Sequence, residues 1–287
     1  MNSSQWHILF WNSDGKRLRP GWRLLIQLAM AGFLLLFQIF VFAFANLFLH
    51  WQIPVTGLFI ITTIFQLIAF TGSIAMARRF LDHRPFLELG LHKSAKDSIF
   101  EDLFWGFPSA AIMLWVPFIV MYSLGWLHVL SEHLDIGHML LYLLLFIVIG
   151  FQEELLFRGY ILQTLASGWN KYFGLIGSSL IFAGLHALNP GFTWMAFLGI
   201  FCAGLLLGFA YLRTGQLWLS IGLHIGWNFF EAVVFGFPTS GVTIYALTRI
   251  HVSGPVLWTG GAFGPEAGLI ILPALAIGAG LVWLYTK

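Results

Sequence analysis

Seven polar side chains interrupt apolar stretches of this sequence, and their types suggest a hydrolytic reaction: Glu153, Glu154, Arg158, His186, His224, Asn228 and Glu231. An ionisable group surrounded by hydrocarbon is costly unless paired or hydrated, so each is a functional candidate. Glu154 and Arg158 are four residues apart, share a helix face and can pair. Glu153 is turned about 100° away on the same helix and has no local cation. Such a carboxylate suits general acid–base work. His224 and Asn228 also share a face, and both can donate to an oxyanion growing on a carbonyl. His186 stands alone in Phe182-Ala183-Gly184-Leu185-His186. A carboxylate and a histidine that activate water, with a second histidine and an amide to hold the oxyanion, make an inventory for peptide-bond hydrolysis.

The same residues allow a second chemistry. Glu153, His186 and His224 form a three-ligand zinc set that leaves a fourth position open. No cofactor is required by the residues, and zinc is the one they could hold. No His-Glu-x-x-His motif occurs. Ser178, Ser179 and Ser220 lack a Gly-x-Ser-x-Gly elbow. No Asp falls within an apolar run, which removes aspartyl chemistry. The single cysteine, Cys202, reads as a small buried hydrophobe and excludes an internal disulfide. Glu231 reads as an interfacial charge near the outer end of its apolar run.

The elements that must position these groups are membrane helices. The chain has 287 residues, 59% hydrophobic and only 9% charged. A soluble domain carries about 25% charged residues, so a water-covered surface is excluded, as is disorder. Eight apolar runs are long enough to be read as spans: Leu24–Leu49, Pro54–Met76, Leu103–Leu124, Met139–Phe157, Phe173–Leu188, Trp194–Leu212, Leu217–Phe235 and Pro265–Tyr285. With eight spans, all of the 14 Lys and Arg except Arg249 fall on one face. The positive-inside rule then places both termini in the cytoplasm, with Glu153 near the inner end of the fourth span. The stretch from Arg78 to Asp102 mixes basic residues with Phe80, Leu81, Phe86, Leu87, Leu89 and Leu91, a pattern for lying along the cytoplasmic leaflet. The expected fold is therefore all-α: a single polytopic membrane domain over residues 1–287, with a polar cavity between helices four, five and seven. Gly177, Ser178, Ser179, Ala183, Gly184, Gly222 and Gly226 would let those helices approach closely.

Taken in order, Glu153-Glu154-x-x-x-Arg158, Phe182-x-x-x-His186 and His224-x-x-x-Asn228 resemble the CAAX prenyl endopeptidase and bacteriocin-processing (Abi) family of intramembrane proteases. The resemblance covers a core of about residues 100–235, and Phe157-Arg158-Gly159-Tyr160 and the Arg-rich stretch before Leu89-Gly90-Leu91 share it. It implies that Glu153 is the catalytic carboxylate, that His186 joins it in activating water, and that His224 and Asn228 stabilise the oxyanion. Glu154 and Arg158 match supporting positions. Gln152 stands where many members carry a further glutamate. The implied activity is an endopeptidase of CAAX protease type, by a glutamate or a metallo-mechanism. Its partners would be a membrane-associated peptide or protein and the lipid bilayer, with no nucleic acid, and its location a bacterial cell membrane. A non-enzymatic immunity or adaptor protein and a proton-coupled transporter stay open as alternatives, the latter weakened by the lack of an internal repeat.

Overall fold

A computed structural model describes residues 10–12, 17–49, 53–92 and 99–287. Each of the eight apolar runs is helical in it. Helix α1 is Pro20–Leu49 and α2 is Val55–Met76, prolonged by a π segment Ala77–Asp82. Helix α3 is Ile99–Ser123, followed by strand β1, Leu127–Glu132. Helix α4, Ile136–Glu154, continues through a π segment Leu155–Leu162 into α5, Gln163–Gly168. Helix α6 is Lys171–Leu185 and α7 is Trp194–Thr214. Helix α8, Trp218–Asn228, runs into a π segment Phe229–Val234. Strand β2 is Thr248–Val252, α9 is the single turn Val256–Thr259, and α10 is Ile271–Tyr285. Six helical stretches among the described residues are long and apolar enough to cross a membrane. The seventh and eighth apolar runs give shorter helices, α8 with its π segment and the 15-residue α10.

Two boundaries differ from the sequence reading for physical reasons. The fourth run does not stop at Phe157; its helical path extends from Ile136 to Gly168, 33 residues. Arg158 marked an end in the sequence, but it is fully buried against Glu154 and is no loop charge. The last helix begins at Ile271 rather than Pro265, because residues 265–267 form a separate 3-10 turn carrying Glu266. One addition to the helical plan is a two-stranded antiparallel sheet, with Leu127 opposite Val252 and Glu132 opposite Thr248.

Helices α3 and α8 touch backbone to backbone. A Cβ on Gly106 would lie 2.7 Å from the carbonyl oxygen of Leu219, and one on Gly226 would lie 2.3 Å from that of Phe107. Gly222 and Gly226 thus form the small-x-x-x-small stripe that close helix crossings require. The contact fixes the rotation of α8, and with it the direction of His224. Gly226→Ala is expected to lower stability by about 1–3 kcal/mol, as overpacking does. Thermal unfolding in detergent checks this, and an unchanged midpoint would contradict it.

One end of the bundle gathers the cations. Arg23 pairs with Asp82 and donates to Ser167 Oγ at 2.9 Å, and Arg213 donates to Thr286 Oγ1 at 2.8 Å. Lys16, Lys93 and Lys96, also assigned to this face, lie outside the described residues. In the segment after α2, Phe80 and Leu87 are exposed while Arg78, Asp82 and Leu89 are buried, an amphipathic arrangement. At the far end, Asp135 caps α4 by accepting from the backbone N–H of His138 at 3.1 Å. That bond, followed by the one to the His138 ring, holds the Asp135 carboxyl below its ordinary pKa.

Candidate active site

A cavity of about 160 Å³ lies between α4, α6, α7 and α8. Its walls are mainly apolar, and Glu153, His186, His224, Asn228 and Glu266 supply most of its polar lining. The four residues expected to act directly are therefore gathered at one chamber, from three helices remote along the chain. The pair Glu154 and Arg158 lies behind it.

The geometry starts from the buried pair. Arg158 Nη1 donates to Glu154 Oε1 at 2.6 Å, and Nη2 donates to the carbonyl oxygen of Gly204 at 3.0 Å. The guanidinium also lies 4.6 Å from the centre of the Phe182 ring, within cation–π range. Its charge compensates Glu154, whose side chain is fully enclosed. Glu154 Oε1 also accepts from His224 Nδ1 at 2.8 Å. A carboxylate only accepts, so His224 carries a proton on Nδ1. Its Nε2 is thereby directed toward Glu153, 3.8 Å from Oε2. Glu153 keeps 20% of its side chain accessible where the other carboxylate keeps none. The adjacent glutamates thus have separate parts, one structural and one facing the cavity.

His186 ends α6, where the helix tightens into a 3-10 turn. Its Nδ1 lies 2.7 Å from the carbonyl oxygen of Phe182. A carbonyl accepts only, so Nδ1 is the protonated nitrogen and the neutral ring has a lone pair on Nε2. The Phe182 ring stands edge-on to His224 at 6.1 Å and tilted against His186 at 4.7 Å, so the second motif's aromatic spaces the two imidazoles. Both remaining motifs run directly into π segments, after Glu154 and after Asn228, a distortion that recurs at functional sites.

Among the described residues, no three His, Cys, Asp or Glu side chains are grouped so as to hold a metal ion. Glu153, His186 and His224 share the chamber, and each histidine keeps its Nε2 for it because Nδ1 is held by Phe182 O or by Glu154.

The depth of the site differs from the sequence reading. Glu153 falls near the middle of the path Ile136–Gly168 rather than near its inner end. The cavity is bordered by Asn189, Thr239, Ser240 and Val242, in loops at the end of the bundle opposite the arginines. Two acidic residues there went unassigned or misassigned. Glu231 is fully buried, not interfacial, and neither of its carboxyl oxygens has a hydrogen-bond partner among the described residues. Glu266 borders the cavity and accepts from Trp227 Nε1 at 3.0 Å, from the Ser240 N–H at 2.8 Å and from Ser240 Oγ at 2.7 Å. Gly199 makes room for this turn, since a Cβ there would meet the carbonyl oxygen of Glu266 at 1.8 Å. Ser240, at φ 48, also accepts from Asn189 Nδ2 at 3.1 Å through its carbonyl oxygen. Glu266 therefore ties the loop over the cavity to the residue preceding Asn228. Glu266→Ala is expected to cost about 1–3 kcal/mol by orphaning these donors and to speed proteolytic cleavage within residues 237–244. Unchanged cleavage kinetics would contradict that role.

Comparison with known proteins bears on residues 135–230, which match the family described as type II CAAX prenyl endopeptidase Rce1-like. The matched stretch contains all three motifs. An uncharacterized protein of Bacillus subtilis (strain 168), YpbD, is 34% identical over 114 residues, which are 40% of this chain and 54% of that protein. The alignment thus spans about half the length of this curated relative. The family resemblance read from the three polar motifs is shown by this match: over residues 135–230 the chain is similar to the type II CAAX prenyl endopeptidases.

Proposed function

We propose that this protein is an intramembrane endopeptidase that hydrolyses a peptide bond of a membrane-associated peptide or protein. The observation carrying this reading is the meeting of Glu153, His186, His224 and Asn228 around one cavity, with His224 Nε2 3.8 Å from Glu153 Oε2. Glu153 takes a proton from a water held between it and His186 Nε2, and the hydroxide attacks the carbonyl carbon of the scissile bond. The oxyanion is met by the Asn228 amide and by Nε2–H of protonated His224, whose ring Glu154 has already oriented. Glu153 then returns its proton to the departing amine. Glu154 and Arg158 are positioning residues: they aim the imidazole and keep its tautomer.

The mechanism routes no step through a metal. Cleavage by the purified protein is accordingly expected to withstand chelators, and its loss on chelation with recovery on adding zinc would overturn that part. With the arginine-rich end and both termini in the cytoplasm, the loop-bordered side of the cavity faces the outer half of the bilayer, and substrate enters from there. A library of membrane-associated peptides, incubated with the protein in proteoliposomes and read by mass spectrometry, tests the activity. Wild-type protein yields cleaved products that Glu153→Ala, His186→Ala and His224→Ala do not; products retained by all three variants overturn the proposal.

A further inference from the structure

The cationic end of the bundle contains a second cavity, of about 40 Å³, remote from the first. Arg17, Arg23, Arg78 and Arg84 line it, together with Tyr160 and Gln163, and no carboxylate among the described residues does. The acids nearby among the described residues leave the charge unbalanced. Asp82 is shared by Arg23 and Arg78, and Glu88, half exposed, reaches only Arg78 at 3.4 Å. Arg17 and Arg84 have no carboxylate partner among the described residues.

Most of the polar atoms left over are donors; the acceptor among them, Asp82 Oδ2, lies 3.6 Å from Arg78 Nη1. Tyr160 is fully buried, and its hydroxyl makes no hydrogen bond of good geometry among the described residues, the Thr164 side chain being its polar neighbour. Gln163 Nε2 and Arg23 Nε are buried and unpartnered as well. Buried donors are seldom left unpaired, since each costs about 1–3 kcal/mol. Unpartnered N–H and O–H groups around a surplus of guanidinium charge are the complement of an anion with several acceptor oxygens. The donors converge from three places: the entry to α1, the turn after α2, and the π segment leading into α5. That spread suits a tetrahedral oxyanion better than a planar carboxylate. Arginine forks are well matched to phosphate oxygens, and 40 Å³ has room for a few water-sized atoms.

The surroundings indicate where the phosphate comes from. Phe80 and Leu87, on the segment that supplies Arg78 and Arg84, are 69% and 62% exposed. Exposed apolar side chains beside a buried cationic recess mark the boundary between acyl chains and headgroups. We propose that this cavity binds the phosphate of an anionic phospholipid headgroup at the cationic face.

The test uses the full chain, purified and delipidated in detergent, with phosphatidylglycerol, phosphatidylcholine or inorganic phosphate added. Retention is read by native mass spectrometry and stabilisation by the melting midpoint. Phosphatidylglycerol is expected to be retained and to raise the midpoint, and phosphatidylcholine is not. Arg17→Gln and Arg84→Gln remove arginines that bind no carboxylate among the described residues, and each is expected to weaken retention about tenfold, the loss of one charge-assisted hydrogen bond. Tyr160→Phe tests a buried donor with little change of shape and is expected to weaken retention too. Equal retention by wild type and all three variants overturns the site. A response to inorganic phosphate alone, lost in the variants, overturns the lipid source and assigns the recess to a soluble phosphate.

Discussion

Arg158→Met is expected to destabilise the protein by about 3–5 kcal/mol, the cost of leaving one member of a buried ion pair without its partner. Glu154 is fully enclosed, its Oε2 has no hydrogen-bond partner among the described residues, and its Oε1 accepts from both Arg158 and the His224 ring, of which Arg158 is the permanent cation. Methionine fills much of the arginine's volume, so the penalty reports charge rather than a void. The diagnostic comparison is the double variant Glu154→Gln with Arg158→Met. Removing both charges from a buried site is often close to neutral, and the amide oxygen introduced by Glu154→Gln can still accept from His224 Nδ1. The double variant is thus expected to recover most of the lost stability. Unfolding midpoints in detergent for the two singles and the double close this cycle. Additive losses in the double would show that the pair is not coupled as described.

Glu153→Gln is expected to produce the largest functional effect. The change keeps the shape, abolishes the base and removes a charge from a group only partly accessible. General-base catalysis accounts for about 10²–10⁴ in rate, so kcat is expected to fall by roughly that factor while the unfolding midpoint moves little. Stability and rate should therefore separate at neighbouring positions: Arg158 controls folding, and Glu153 controls turnover. A Glu153→Gln protein with full kcat would remove this residue from the reaction. A comparable drop caused by unfolding would be visible in the midpoint.

Local features were the most legible in the sequence. The Glu154–Arg158 pair follows from helix spacing alone, and the eight apolar runs all contain helices because their few polar side chains are far outnumbered by apolar ones. The glycines at 222 and 226 showed where a neighbour could come close. What escaped the reading depends on long-range partners. Arg158 looked like a span end because its charge is compensated by an enclosed partner, which a hydropathy count cannot see. That misplaced the end of the fourth helix and set Glu153 too near one face. The sheet joins Leu127–Glu132 to Thr248–Val252 across more than a hundred residues, and the alternation Thr-Arg-Ile-His-Val of the second strand does not say which partner it takes. Glu266 sat in a glycine-rich stretch assigned to the last span, and only the fold brings it to Trp227 and Ser240. Glu231 read as interfacial because the loop that covers it comes later in the chain. Which nitrogen of each histidine is engaged also needed coordinates, since both partners, Phe182 O and Glu154, are supplied by packing and helix geometry.

The central claim is that side chains remote in sequence face one chamber, and a substrate-free measurement tests it. Glu153→Cys and His224→Cys are combined in a Cys202→Ser background, and the protein in liposomes is treated with a short bifunctional thiol reagent. The linked peptides are then sought by mass spectrometry. The account predicts an intramolecular link between positions 153 and 224 in folded protein, and none when Glu153→Cys is paired with Leu144→Cys, on the exposed side of the same helix. Efficient single-site labelling at 153 and 224 without any link between them would contradict it.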